Sequence, residues 1–197
     1  MKLHLSLTDL LVLPVYGWLL VPHLQAAWTG NGLSLIFAVQ NLAVLLLLLG
    51  HRPAQAGVAA WSLDSILAWA GTLLPLALQS GPASASTLGA PLLVFGAGLS
   101  VVAILSLGRS MGMEPANRGL KTTWMYRLVR HPIYATYLLV VAGFLLAFPS
   151  PVNLGLTVVW LAIQLLRIRR EERLLGQDPA YREYQTRVPY RLIPLVW

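Results

Sequence analysis

The sequence predicts an all-α, polytopic transmembrane helical bundle of about six spans, closed by a short cytoplasmic C-terminal amphipathic helix. Three observations predict it. Of 197 residues 57% are apolar and only 11% are charged, whereas soluble domains carry roughly a quarter charged residues, too little polar surface here to coat a water-soluble core. Apolar stretches of about membrane-spanning length recur along the chain. The fourteen Lys and Arg residues fall in alternate connections only. Cysteine is absent, which excludes disulfides, thiolate metal sites and a cysteine nucleophile.

The apolar stretches run over 8–27, 33–50, 62–80, 87–108, 134–149 and 151–168. The first resembles a signal peptide ending near Gln25-Ala26-Ala27. Asp9 at its start and its twenty or so mostly apolar residues, against a 7–15-residue signal core, favour a retained helix. Gly30-Asn31-Gly32 and the Gly/Pro/Ser run 81–86 mark turns. The fifth stretch is short for a span. Pro149-Ser150-Pro151 follows it, and since neither proline can donate a backbone hydrogen bond, the fifth and sixth stretches are predicted to form a helical hairpin. Trp28 and Trp61 fall at predicted interfaces, where indole rings anchor.

Charge orients these spans. Lys2, Arg52, the cluster Arg109, Arg118, Lys121, Arg127 and Arg130, and the cluster from Arg167 to Arg191 lie before the first span, between the second and third, between the fourth and fifth, and after the sixth. The connections 28–32, 81–86 and 149–151 hold none. Six spans with both termini inside put every basic residue on the cytoplasmic face, and the expected location is a bacterial cytoplasmic membrane. Residues 1–108 hold only Lys2, Arg52, Asp9 and Asp64; they read as transmembrane scaffold, and 109–197 as the working region. No inverted pair of broken helices of the transporter kind is visible.

Arg130-His131-Pro132-Ile133-Tyr134 opens the fifth helix. Proline is favoured at the first helical position and biases its predecessor away from helix, so His131 is the predicted cap and Tyr134 sits in the first turn. Free amides and the positive dipole end there suit an anionic group. A membrane-entry motif, with Arg130 at lipid phosphate and Tyr134 in the aromatic belt, explains the pentapeptide equally well. On the sixth helix Trp160, Gln164, Arg167 and Glu171 share one face, and polar groups at that depth face a bundle interior or cavity. Arg167 offers a planar fork for carboxylate or phosphate, and Glu171 can bind a donor pair such as a ribose diol or an ammonium. A weak Arg–Glu pair along one helix is the plain alternative. Arg169, Arg170 and Arg173 read as lipid-surface anchors.

Asp178-Pro179 is a cap and first turn for a short amphipathic helix whose apolar stripe is Tyr181, Tyr184 and Val188, ended by Pro189. Tyr190 to Trp197 reads as an extended tail that folds back as a lid or lies on the membrane. Gln40 and Asn41 read as hydrogen-bonding glue between helices. His4, His23 and His51 are isolated, and no group has metal-ligand spacing, so no metal is expected. Membrane lipid is the expected partner of the basic loops and nucleic acid is not. Oligomeric state is not legible.

Taken in order, Tyr126, Arg130-His131-Pro132-Ile133-Tyr134, Arg167, Glu171-Glu172, Tyr181-Arg-Glu-Tyr184, Arg187-Val188-Pro189 and Ile193-Pro194 resemble the integral-membrane methyltransferases similar to isoprenylcysteine carboxyl methyltransferase and phosphatidylethanolamine N-methyltransferase. The resemblance covers roughly 105–197. It implies S-adenosylmethionine as methyl donor, bound at the cytoplasmic side, and a small lipophilic or lipid acceptor. It implies cofactor contacts at Tyr126, His131, Pro132, Ile133, Tyr134 and Glu171, with weaker matches at Arg118, Gly119, Leu120 and Lys121. It also implies that Arg167 meets the acceptor's reacting end, so that Arg167 and Glu171 are the expected catalytic pair and Arg167, Gln164 and Trp160 the expected substrate surface. Trp124 and Thr136 stand where that family usually has glycine. Two other readings remain: an NADPH-dependent reductase of the sterol-reductase type, whose motif is Arg-His-x-Asn-Tyr, and a membrane scaffold of the same fold without chemistry.

Overall fold

The computed structural model describes residues 7–49, 56–57, 62–81, 87–107, 116–117 and 120–196. Among the described residues the regular structure is helical, as the sequence predicts, apart from a two-residue antiparallel pair joining Ala56–Gly57 to Ala116–Asn117. The α-helices among the described residues are α1 (Leu7–Trp28), α2 (Gly32–Leu49), α3 (Leu63–Leu73), α4 (Gly89–Leu107), α5 (Pro132–Ala147), α6 (Pro151–Leu175) and α7 (Pro179–Arg187). Of these, α4 and α6 are long and apolar enough to cross a membrane. Lys2, His4, His51, Arg52, Trp61, Arg109, Arg118, Gly119 and Trp197 lie outside the described residues.

Side-chain size sets the central contact, between α4 and α5. A Cβ on Gly143 would stand 2.4 Å from the Leu93 nitrogen, and one on Gly96 would stand 2.9 Å from the Val140 nitrogen. The two backbones therefore pack with nothing between them, as small residues permit where no hydrophobic effect separates helix from lipid. The hairpin from α5 to α6 is tied by Asn153. Its Nδ2 donates to the carbonyls of Phe148 and Gln79, and its Oδ1 accepts from the Gln79 nitrogen. Ser150 caps α6 by accepting from the Asn153 nitrogen at 3.0 Å.

The third apolar stretch departs from the expectation of a helix over 62–80. α3 ends at Leu73, and a 3-10 turn covers Leu74–Ala77. Pro75 is the reason: it has no N–H to offer the carbonyl four residues back, which is Gly71. α6 in turn runs two turns past its apolar stretch, to Leu175, and carries Glu171 and Glu172 beyond it.

The surface and interior are arranged as lipid requires. Trp18, Val39, Phe95, Leu105, Val158 and Val159 are exposed, while Ser34, Gln40, Ser100, Asn153 and Gln164 are buried. Tyr16, Leu20, Phe37, Leu93, Val140, Phe144 and Trp160 form the apolar core. His23 sits within it, its Nε2 3.0 Å from the Leu76 carbonyl and its ring 4.8 Å from that of Phe37.

Candidate functional site

The site is built where α5 begins and α6 ends. His131 caps α5 through its backbone and Pro132 takes the first position, with no side-chain cap bond. The chain before it runs beside the tail: the Arg130 nitrogen donates to the Tyr190 carbonyl and the His131 nitrogen to the Arg191 carbonyl, both at 2.9 Å. The tail is thus extended only at this point, and it then turns, with the Val196 nitrogen donating to the Ile193 carbonyl.

Arg130 does not reach outward to lipid. It is buried, and its Nη1 donates to the carbonyls of Val188 and Pro189 at 2.9 and 2.8 Å. Those carbonyls lie at the C-terminal end of α7, where helix carbonyls lack internal partners and the dipole is negative, so Arg130 closes that end. Its Nε donates to Glu172 Oε1 at 2.7 Å. His131 Nε2 lies 3.2 Å from the same oxygen, and Arg191 Nε donates to Oε2 at 2.6 Å. Glu172, only 7% exposed, therefore gathers the start of α5, the end of α7 and the tail onto α6.

One residue earlier, Glu171 turns to the other side of this clamp and accepts from Tyr134 Oη at 2.8 Å. The Arg167 guanidinium carbon lies 5.2 Å from the Tyr134 ring centre, in cation–π range. Arg167 Nη1 donates to Gln164 Oε1 at 3.1 Å. Gln164 Nε2 and Trp160 Nε1 both donate to the Gly71 carbonyl, at 3.1 and 2.9 Å. This is the carbonyl that Pro75 leaves without its helical partner, and two side chains of α6 satisfy it. A Cβ on Gly71 would stand 2.8 Å from Arg167 Nη1, so the close approach of α3 sets where the guanidinium rests.

α7 roofs this end. Asp178 caps it by accepting from the Ala180 nitrogen, and Tyr184 Oη donates to the Tyr126 carbonyl at 2.7 Å. Burial pushes the Tyr184 phenol up to about 12, with the Arg130 charge opposing. Burial raises the Tyr126 and Tyr181 phenols as well, with the Glu171 charge adding in both cases. Tyr181 is 4% exposed, and its hydroxyl has no hydrogen-bond partner.

The expected site residues therefore divide. Tyr126, His131, Pro132, Ile133, Tyr134, Arg167 and Glu171 converge on one end of the bundle. Gln164 accepts from Arg167, and Trp160 shares the Gly71 carbonyl with Gln164. Leu120 and Lys121 are exposed, and Arg118 and Gly119 fall outside the described residues. Arg170, read as a lipid anchor, instead pairs with Asp64 of α3. Trp124 adopts φ of 56°, the left-handed region that favours glycine, and is 67% exposed. Thr136 is buried, its hydroxyl donating to the Ile133 carbonyl. The sequence reading missed Glu172, Arg130 and Arg191 as a clamp and Gly71 as a seat. Pro75, four residues after Gly71, was the available signal for the latter.

No curated protein matches the chain. A family model described as phospholipid methyltransferase matches residues 84–179, the segment that supplies α4, α5, α6 and most of the site. It lends no support to the reductase reading. The region that builds most of this site is thus similar to the phospholipid methyltransferase family, in line with the motif resemblance.

Proposed function

We propose that the protein transfers a methyl group from S-adenosylmethionine to a lipophilic acceptor taken from the membrane. The observation that carries this reading is the meeting of Tyr134, Glu171 and Arg167 at the junction of α5 and α6. The residues suit the cofactor by their chemistry. Glu171, aligned by Tyr134, matches a ribose diol. The amides of Ile133 and Tyr134 have no carbonyl to bond within their helix and match a carboxylate. The buried, unpartnered Tyr181 hydroxyl is a donor or acceptor held ready beneath α7. Bound there, S-adenosylmethionine supplies an electrophilic methyl group on a sulfonium.

The protein's own task is alignment, since holding two reactants at about 3–3.5 Å in line contributes several kcal/mol. Arg167 would hold the acceptor oxygen, and Gly71, Gln164 and Tyr134 fix Arg167. His131 and Glu172 are engaged with each other, and Glu172 also with Arg130 and Arg191, which leaves Glu171 as the candidate base among the described residues of the site. An acceptor that attacks without losing a proton, such as a carboxylate, therefore fits best.

The bundle is read as six spans with both termini cytoplasmic. Asp64 at the start of α3 meets Arg170 near the end of α6, while Gln79 after α3 meets Asn153 at the start of α6; α3 and α6 thus run antiparallel, which is compatible with that reading. The described basic residues lie at the end where α5 starts and α6 finishes, which is taken to face the cytoplasm.

Incubating membranes that contain the protein with radiolabelled S-adenosylmethionine tests this. Label is expected in the organic-extractable lipid and absent with Arg167→Leu. A folded, abundant wild type that labels no more than protein-free membranes would contradict it.

A further inference from the structure

Two turns at the site's end of the bundle push large apolar side chains outward. Trp124 and Leu195 are the non-glycine residues at positive φ among the described residues, at 56° and 68°, a backbone region that is costly for any residue with a Cβ. Glycine would remove that cost, yet both positions carry bulk, and both side chains are exposed, Leu195 at 83%. Leu128, just after the 3-10 turn Trp124–Arg127, is exposed too, as are Ile193 and Val196 within the second turn. Exposed apolar groups gathered in this way mark an interaction surface.

Hydrogen bonds set the level of the second turn. The Arg130 nitrogen donates to the Tyr190 carbonyl and the His131 nitrogen to the Arg191 carbonyl. The two bonds advance together, so the tail runs in the same sense as the chain that enters α5. Where that chain winds into α5 at Pro132, the tail closes its own turn, Val196 donating to Ile193 at 3.2 Å. Ile193–Val196 therefore stands level with the start of α5, with Leu192 buried and its successors facing out. An apolar helix that enters a bilayer crosses the headgroup region at this level, where tryptophan is also at home. α7 differs: its exposed residues Arg182, Glu183, Thr186 and Arg187 are polar and suit water.

Charge names the lipid. Residues 120–134 and 189–196 contain no Asp or Glu, and their charged residues are Lys121, Arg127, Arg130 and Arg191. Glu172 takes Arg130 and Arg191. Lys121 and Arg127 are exposed, on the same segment as Trp124 and Leu128. Basic side chains flanking apolar tips match the phosphates of an anionic leaflet.

We infer that Trp124, Leu128 and the turn Ile193–Val196 form an interfacial foot, seated at the acyl boundary of an anionic leaflet with Lys121 and Arg127 at lipid phosphate, and that this seating holds the tail on the site. The same tail brings Arg191 to Glu172 and supplies the carbonyls that fix Arg130 and His131. The inference rests on the transmembrane reading of the bundle given above, and it does not require methyl transfer.

The chain has no cysteine, so single cysteines can be spin-labelled cleanly. In full-length protein in vesicles of mixed phosphatidylglycerol and phosphatidylcholine, labels at Leu128→Cys and Leu195→Cys are expected to collide more with oxygen than with a water-soluble nickel chelate. Arg182→Cys is expected to show the reverse. Val158→Cys, on the exposed face of α6, reports on the bundle itself. Labels at 128 and 195 in water with 158 in lipid would overturn the foot alone; 158 in water as well would overturn the transmembrane reading with it. Spin–spin broadening at Leu195→Cys would put a second copy on this surface and overturn the inference too. The hold on the site is read by hydrogen exchange of the Arg130 and His131 amides. Leu195→Asp combined with Val196→Asp should speed it about tenfold, one hydrogen bond's worth of protection. Wild type moved to pure phosphatidylcholine should exchange about fivefold faster than in the mixed vesicles, a difference that Lys121→Gln with Arg127→Gln abolishes. Rates that ignore either change would overturn the inference. The label depths decide alone if the aspartate variant fails to fold.

Discussion

Tyr134 and Glu171, from two helices, meet through a 2.8 Å hydrogen bond from the phenol to the carboxylate, with Arg167 above the same phenol ring. A phenol that orients an anion on one edge and a cation on its face fixes the spacing of the two. Tyr134→Phe keeps the ring and removes the donor. Hydrogen bonds to charged groups contribute about 1.5–3 kcal/mol, so the KM for the cofactor is expected to rise about tenfold or more, measured by initial-rate kinetics, with kcat changing less.

Gly71→Ala tests the seat of Arg167. The added methyl would meet Nη1 at 2.8 Å and Cδ at 3.0 Å, so the guanidinium must move, and small displacements of an aligned group cost rate out of proportion to size. A fall in kcat of about a hundredfold is expected, with cofactor binding close to wild type. Saturation kinetics and a binding titration check the two halves separately.

Glu172→Leu leaves Arg130 buried without its anion, and breaking a buried pair from one side costs about 3–5 kcal/mol. Adding Arg130→Met removes the stranded charge, and much of that loss should return. Thermal unfolding of both single variants and the double variant measures the coupling. Additive losses would mean the clamp is not a unit.

Tyr184 predicts behaviour at high pH. Its phenol is held at about 12 in the fold against 10.0 when free, so the unfolded chain gives up this proton first as pH rises. The stability it contributes is whole below pH 10 and is lost toward pH 12, at about 1.4 kcal/mol per pH unit. Tyr184→Phe should lower stability at neutral pH by about 1 kcal/mol and make the alkaline decline shallower. Unfolding curves across that range measure both.

Trp124→Gly removes a side chain from a left-handed backbone position, which costs a non-glycine residue about 1–2 kcal/mol. A gain in stability of up to about 1 kcal/mol is expected, read as a higher denaturant midpoint.

Much of this architecture was legible in the sequence because its signals are local. Proline at 132 and 151, serine at 150 and aspartate at 178 mark three helix starts; Ser150 and Asp178 cap theirs through side chains, while α5 starts without a side-chain cap. The face spacing of Gln164, Arg167 and Glu171 foretold which side of α6 turns inward. What escaped depends on groups far apart in the chain. Arg130 looked like a lipid anchor because Val188 and Pro189, whose carbonyls it binds, are almost sixty residues away. Glu172 was overshadowed by Glu171, although the helical rotation between neighbours sends one to the clamp and the other to Tyr134. The break in α3 had its signal in Pro75, but the use made of the freed Gly71 carbonyl required α6 beside it.

The most direct test of the central claim is calorimetric titration of S-adenosylmethionine into the purified, folded protein. Saturable binding at one site is expected, weakened about tenfold or more by Glu171→Gln and little changed by Arg167→Leu. A folded wild type that takes up no cofactor, or a Glu171→Gln protein that binds it as wild type does, would contradict the account.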